Sequence, residues 1–246
     1  MSNPATKLHF ARFEFKYILP RTRQEAFEKE LLYFVQLDPF VEKQRGNRYF
    51  VRSLYFDDPV YSAYYDKIDG LHTRSKFRLR TYASEPTADV PVFLEIKGRH
   101  NNLVFKHRAP VDGPAMRDAS GDELVRKIVA GGDADVLNHF RFDVERKRIR
   151  PVVCVDYARR PYVSKFDPEF RLTFDSHLRA RPAGGLFSSR GPERVIKPGY
   201  VVMEVKFRYR IPSWFHRLLQ SFELRRVSIS KVCRGLEACE MVTELQ

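Results

Sequence analysis

The sequence predicts an α+β fold in which a closed sheet turns apolar side chains outward, under helices, and charged side chains inward. Three observations lead there. First, at the two-residue period of a strand, the segment Lys76 to Tyr82 sets Lys76, Arg78 and Arg80 on one face and Phe77, Leu79 and Thr81 on the other. Three cations on one strand face repel one another and need either open water or a polyanion. In a lone strand they would read as an edge guarded against aggregation. Second, the same grammar recurs. Arg12, Glu14 and Lys16 oppose Phe13, Phe15 and Tyr17, and Glu95 and Lys97 oppose Leu94 and Ile96. Lys106 aligns with Arg108, Tyr157 with Arg159, Arg171 with Thr173 and Asp175, and Glu204 with Lys206 and Arg208. A sheet with one face in water does not require so many charged faces, whereas a closed sheet lined with charge does. Third, stripes at helical spacing, such as Phe27, Leu31 and Phe34, supply the outer cover.

The 246 residues suit one large domain spanning 1–246, and carry 44 Lys plus Arg against 31 Asp plus Glu, a formal net charge of +13. That balance points to an anionic partner: nucleic acid, an anionic membrane surface or a phosphorylated small molecule. The cations alternate with apolar residues inside strands rather than forming a tail, which favours a lined cavity over a solvated arm. No apolar run approaches the roughly 20 residues needed to span a bilayer, and the first residues have no apolar h-region. Cys154, Cys233 and Cys239 form no metal-binding spacing, and an odd number argues against a disulfide framework. A cytoplasmic location is the simplest expectation.

In chain order, Pro20 ends the first strand and Thr22 is placed to cap a helix over Arg23 to Phe34. Tyr49 to Asp57 is rich in β formers, and Pro59 opens a short helix, Val60 to Lys67, that Gly70 ends. After the basic strand, the Glu95–Lys97 and Lys106–Arg108 strands flank a turn at Gly98 to Asn102 and read as a hairpin. Ser120 to Val129 and Ala134 to Phe142 are helical, with Ser120 and Glu123 spaced as a capping box. Arg150 to Tyr162 and Arg171 to Asp175 are neighbouring strands, and Arg181 to Gly199, rich in Pro, Gly, Ser and Arg, reads as a mobile loop. The Glu204 strand, a helix from Pro212 through Phe222, the Arg225 to Lys231 segment and a terminal helix to about Thr243 complete the chain.

The order of motifs resembles a VTC domain, the polyphosphate polymerase branch of the triphosphate tunnel metalloenzymes, related to the CYTH domains. The motifs are Arg-x-Glu-x-Lys-Tyr (Arg12 to Tyr17), Ser-Leu-Tyr-Phe-Asp (Ser53 to Asp57), Lys-x-Arg-x-Arg (Lys76 to Arg80) and Glu-Ile-Lys (Glu95 to Lys97). Tyr-x-Arg (Tyr157 to Arg159), Arg-x-Thr-x-Asp (Arg171 to Asp175), Glu-Val-Lys (Glu204 to Lys206) and Ser-x-Ser-Lys (Ser228 to Lys231) follow. Val232 stands where the family commonly carries a tyrosine. The resemblance implies a closed antiparallel eight-stranded β tunnel barrel with helices packed outside. It also implies an ATP:polyphosphate phosphotransferase that moves the γ-phosphoryl group of ATP onto a growing polyphosphate chain and releases ADP. The partners would be ATP and inorganic polyphosphate, with no specific nucleic acid and no transmembrane segment, and the cofactor Mn2+ or Mg2+.

A phosphate chain has charge and no apolar surface, so cations and donors must grip it. Arginine does so best, because its planar fork engages two phosphate oxygens at once. The candidates for catalysis are Lys16, Arg78, Arg80, Lys97, Arg159, Arg171, Lys206 and Lys231, with Lys76, Lys106, Tyr157 and Ser230 as further phosphate-binding groups. Arg12, Lys76, Arg99, Arg108 and Arg208 share the alternation nearer the tunnel mouths, and Lys231 and Arg171 are expected toward the exit side. Glu204 is the favoured metal ligand; for Glu14 and Glu95, metal binding and same-face ion pairing stand side by side. His107 alternates away from Lys106 and Arg108 and is expected to be structural. Two other functions compete: a tunnel-fold triphosphatase hydrolysing inorganic triphosphate or nucleoside triphosphates, and a non-catalytic polyanion-binding module. Hydrolytic relatives commonly open with Glu-x-Glu-x-Lys, where this chain has Arg12-x-Glu14-x-Lys16.

Overall fold

A computed structural model describes residues 13–87, 89–100 and 103–243, the side chains of Leu103 and Val104 excepted. β1 (Phe13–Pro20) runs into α1 (Arg21–Leu31), followed by β2 (Val35–Leu37) and the single turn α2 (Pro39–Glu42). Next come β3 (Tyr49–Asp57), α3 (Ser62–Ile68), β4 (Thr73–Thr81) and the hairpin of β5 (Val92–His100) with β6 (Leu103–Val111). The helical insert comprises α4 (Gly113–Arg117), α5 (Gly121–Val129) and α6 (Asp135–Lys147). The chain then forms β7 (Arg150–Ser164), β8 (Arg171–Pro182), β9 (Arg194–Val195), β10 (Tyr200–Phe207), α7 (Ser213–Ser221) and α8 (Lys231–Ala238).

The class is α+β and the sheet is antiparallel, in the order β1-β10-β8-β7-β3-β4-β5-β6, with β2 added to β7 and β9 to β8. Among the described residues eight strands follow the main path, but the barrel is not closed by hydrogen bonds: pairing stops at β1 and at β6. Part of the free edge of β1 is taken by an irregular segment instead, since the Val227 amide donates to the Lys16 carbonyl and Arg226 bridges to Tyr17. The sheet nonetheless curls until its far strands meet through side chains. Lys97 of β5 donates to both carboxylate oxygens of Glu14 on β1, each at 2.9 Å.

Two expected caps are absent because backbone partners replaced them. Thr22 caps nothing; the chain passes from β1 straight into α1, and the Arg21 amide donates to the Gly199 carbonyl at 2.8 Å. Ser120 makes no capping bond, being held extended in a bridge to Gly185 while the Gly121 amide donates to Gly184. Asp57 acts as an unforeseen cap: its carboxylate accepts from the amides of Asp58, Ala63 and Tyr64 and so ties β3 to α3. The segment 181–199 is more built than a loop. Ala183 and Leu186 are buried in the core, and β9 pairs with β8.

The convex face carries most of the apolar core. Leu54, Phe77, Leu79, Leu94 and Ile96 lie under Leu124, Ile128, Leu137 and Phe140 of the insert, and Leu172, Phe174 and Val205 lie under Phe27, Leu31, Phe215 and Leu219. Not every helix packs outside. Val153 and Val155 are in register with Tyr55 and Ser53, whose hydroxyls point into the interior, so these valines face inward too. α8 covers them there with Val232, Cys233 and Leu236. Gly235 permits the approach: a Cβ at this position would stand 3.0 Å from the Val155 side chain. The interior is therefore divided, one part filled by α8 and the other left for charge. Among the described residues no helix is long and apolar enough to cross a membrane.

Phe140, fully buried, meets Phe56 and Phe77 edge to face at 5.0 and 5.3 Å, so it joins α6 to two strands. Phe140→Ala should lower the unfolding free energy by about 3–5 kcal/mol, read by chemical denaturation. A change within experimental error would show that the helical insert does not hold the sheet's convex face.

Candidate functional site

Inside the curl lies a cavity of about 500 Å³, lined, among the described residues, by nine Lys and Arg side chains and two Glu. Period-two alternation on several strands converges here, as a curled sheet requires. β4 supplies Lys76, Arg78 and Arg80; β1 supplies Glu14 and Lys16; β5 and β6 supply Lys97 and Lys106; β7 supplies Tyr157 and Arg159; β10 supplies Glu204 and Lys206. The segment before α8 completes the lining with Ser230 and Lys231. That segment is a strap. From its pairing with β1 it crosses the interior, where Ser228 accepts from Lys67 of α3 and Ser230 accepts from Lys76.

Each cation on β4 has its own anchor. Arg78 donates to Glu95 through Nε at 2.7 Å and to the Tyr55 hydroxyl at 3.3 Å, while Arg80 donates to the Ser53 and Tyr157 hydroxyls at 2.9 and 3.1 Å. A second cluster forms around Asp175, which is fully buried. Arg159 grips it with two bonds, at 2.6 and 2.7 Å, and Lys231 lies 2.6 Å away. Arg159 and Lys231 also reach Glu204, at 3.2 and 2.5 Å. Lys231 opens a helix, where a cation meets an unfavourable dipole, and these two carboxylates offset that cost.

Electrostatics follow from this pairing. Burial alone would raise the Glu95 pKa, but Arg78, Arg80 and Lys106 together bring it down to about 2. Burial likewise opposes ionisation of Glu14 and Glu204, yet Lys97 holds Glu14, and Lys231 with Lys16 and Arg159 holds Glu204, below the usual carboxylate range. The positive surplus acts on neighbours. Burial and Lys16 bring Lys97 down to about 8 despite Glu14, and Arg78, Arg80 and Lys76 draw the buried Tyr55 phenol down to about 8 against its own desolvation.

The expected residues separate into groups. All of the cavity-lining ones named above were among the candidates. Arg171, by contrast, is exposed at the start of β8, in register with Lys206 but outside the lining, whereas Lys231 is buried against Asp175 and Glu204. Glu95 is fully buried behind the lining, with Arg78 on one oxygen and Lys106 on the other at 2.7 Å, which is the ion-pairing role. Arg99 lies at one mouth and Arg108 at the other, Arg208 stacks over Tyr209, His107 lies at the cavity's edge on β6, and Arg12 is outside the described residues. Missing from the candidates were Asp175, Ser53 and Tyr55, although all three sit in the quoted motifs. Their two-residue spacing in Ser53-x-Tyr55 and in Arg171-x-Thr173-x-Asp175 was the available signal.

The carboxylates that reach the cavity, Glu14 and Glu204, suit a hard divalent ion of the kind that takes one or two protein carboxylates and completes its shell with phosphate and water. Among the described residues no group of three or more His, Cys, Asp or Glu could enclose a metal by itself. Any ion here would rely on the phosphate ligand for most of its shell.

Two tests follow from the charge arrangement. Asp175→Asn leaves Arg159 and Lys231 buried with half their anionic partners gone, and should cost about 3–5 kcal/mol of stability in denaturant titrations; a cost near zero would mean that water compensates them. The second is a pH profile. Lys97 is neutral and Tyr55 anionic above about 8, so the cavity loses positive charge as pH rises through that value. Affinity for inorganic tripolyphosphate, measured by calorimetry, should fall from pH 7.5 to 9.5, and a flat profile would show that neither group senses the ligand.

Comparison with known proteins agrees with the fold. A candidate adenylate cyclase from Bacillus halodurans superposes with a TM-score of 0.53 at 12% identity, covering 89% of this chain and 94% of that one. A Pyrococcus horikoshii protein aligns over 92% of this chain and 99% of its own with a TM-score of 0.46 at 12% identity. The triphosphatase of the Mimivirus capping enzyme aligns over 85% and 89% with a TM-score of 0.30 at 7% identity. No curated protein matches the chain. The family model of the VTC domain matches residues 11–240, nearly the whole length that builds the curled sheet, the strap and the cavity, and the chain belongs to the VTC domain family.

Proposed function

We propose that the protein is a metal-dependent polyphosphate polymerase that transfers the γ-phosphoryl group of ATP to a growing inorganic polyphosphate chain and releases ADP. The observation that carries this reading is the form of the cavity: a cation-lined interior with a further cavity beyond it toward each end of the curled sheet. At one end it shares Glu14, Lys16, Lys76, Lys97 and Ser230 with a second cavity of about 420 Å³, and at the other it shares Tyr82 with a third of about 300 Å³. Hydrolysis of a single triphosphate needs one mouth; a lengthening product needs a way out at the far side. Belonging to the VTC domain family supports a triphosphate-binding tunnel enzyme, and the passage favours the polymerase within it.

The chain's own residues account for most of the chemistry. Phosphoryl transfer passes through a loose transition state, so holding donor and acceptor in line and neutralising oxygen charge dominate catalysis. Arg78, Arg80 and Arg159 are fixed by Glu95, Ser53, Tyr157 and Asp175, which leaves rigid forks at the cavity wall and little entropy to lose on binding. Lys16, Lys76, Lys97, Lys106 and Lys206 are point charges along the passage, and Lys206 has no ion-pair partner among the described residues. A phosphate terminus is already an anionic nucleophile and needs no general base. Mn2+ or Mg2+, held by Glu204 with Glu14 beside it, would offset phosphate charge when bound.

Purified protein incubated with ATP and manganese should give a ladder of polyphosphate on a gel, and Lys206→Ala should reduce its formation several-fold while leaving the fold intact. Free phosphate as the sole product would replace the polymerase by the triphosphatase. No consumption of ATP, with tripolyphosphate still bound, would leave the polyanion-binding module.

A further inference from the structure

A second group of cations lies outside the curl, on the outer face of β7 and β8 beside α1. A cavity of about 330 Å³ there is lined by Arg21 at the start of α1, Arg48 just before β3, Arg160 on β7, and Ser176 and His177 on β8. Among the described residues it shares no lining side chain with the inner cavity or with either cavity beyond it. Alternation places Arg160, since Arg159 before it turns inward. It does not place His177. Asp175 faces inward and Ser176 outward, so a regular strand would turn the next residue in. Here the register of β7 with β8 shifts between Asp156 and Ala158, and β8 carries one residue more than β7. His177 sits at this bulge with φ 53°, in the left-handed region, and stands beside Ser176 on the outer face. Leu178 then returns to the interior with Val155 and Ala180. Such a backbone is strained for a histidine, and strain of this kind is kept where it aims a side chain.

The charges around this cavity do not balance. Arg160 donates to Glu28 at 2.8 Å, and Glu28 also accepts from Gln24 at 3.0 Å, so this carboxylate is already partnered. Glu25 lies 3.6 Å from Lys29 on the exposed side of α1. Arg21, Arg48 and His177 have no ion-pair partner among the described residues. The Gly46 carbonyl gathers two of the forks, accepting from Arg48 Nε at 3.3 Å and from Arg160 at 3.4 Å. Partial burial, with Arg21, Arg48 and Arg179, lowers the His177 pKa, which records the positive field at the ring. Donors converge here from segments far apart in sequence. A tetrahedral oxyanion can accept from all of them, whereas a neutral ligand would leave the cations unmatched. We propose that this cleft is a second anion site that holds a single phosphate group between Arg21, Arg48 and His177, with Arg160 as its fixed wall. The site is independent of the polymerase reading, because the sheet stands between it and the inner cavity. The phosphate belongs either to free inorganic phosphate or to the end of a phosphate chain, and experiment separates the two.

The test follows the His177 imidazole by heteronuclear NMR on the full chain, with His177→Gln to assign its signal. Sodium phosphate, compared with sodium chloride of equal ionic strength, should shift this signal saturably. It should also raise the pH at which the ring titrates by about one unit, because the bound anion offsets Arg21 and Arg48. Arg21→Gln combined with Arg48→Gln, both outside the core, should weaken phosphate about tenfold through the loss of charge-assisted contacts. Arg48→Lys alone should keep part of the affinity. Arg78→Ala, which alters the inner cavity, should leave the response in place. A stronger response to tripolyphosphate than to phosphate in Arg78→Ala assigns the site to a chain end; an equal or weaker one assigns it to the free ion. A shift no greater than that with chloride, or one indifferent to the double substitution, overturns the site. Loss of the response in Arg78→Ala overturns it as well, since the signal would then report the passage.

Discussion

Everything in the interior depends on one electrostatic constraint: cations that face one another across a curled sheet can be held there only if some buried anions fix them. Glu95 and Asp175 meet it. Both are fully buried, each lies at the centre of a cluster of Arg and Lys, and neither lines the cavity. Ion pairs of this kind contribute little net stability against apolar alternatives, and breaking one partner is expensive. Their value here is positional. They hold guanidinium groups in place and leave the cavity with an excess of positive charge, which a surface arrangement of equal composition would lose to solvent screening.

The same constraint explains why the sheet does not close. A continuous barrel would place β6 against β1 and bury a further pair of edges, but the strap before α8 has taken backbone partners on β1 and carries Ser230 and Lys231 into the interior. Lys231 is as much a structural cation as a lining one, for it joins Asp175 to Glu204 and so links β8, β10 and α8. The strap therefore converts a short irregular segment into one wall of the passage. α8 behind it fills the part of the interior where the strands turn valines rather than charges inward.

Polarity along the passage has a comparable origin. Strands that alternate faithfully carry their interior face to both ends, and what they present at each end depends on where the strand happens to stop. β4 carries Arg74 near its start and stops just before Tyr82, while β5 carries Phe93 near its start and Arg99 near its end. Because the two strands are antiparallel, Arg74 pairs with Arg99 at one mouth and Arg80 with Phe93 toward the other. A charged end and an aromatic end thus come from the same alternation, without any separate binding element.

By itself the sequence determined the α+β class, the eight strands of the main path, the cover of apolar residues and the face on which Lys76, Arg78, Arg80, Lys97, Arg159, Glu204 and Lys206 stand, because side-chain alternation is a local property of a strand. It also marked Ser228 to Lys231 as a segment of interest through its motif. Tertiary structure decided the rest. Asp175 and Glu95 look alike in sequence to Glu14 and Glu204, each a carboxylate alternating with a cation, and only packing settled which pair is sealed and which reaches the cavity. Thr22 and Ser120 carry the right local chemistry for caps and lost to backbone partners from distant segments. Arg171 obeys the alternation and still lies outside the lining, since alternation gives the face of a strand but not how far along it the cavity extends. Closure by hydrogen bonds, the inward position of α8 and the aromatic mouth all depend on contacts between segments far apart in the chain, which no local pattern encodes.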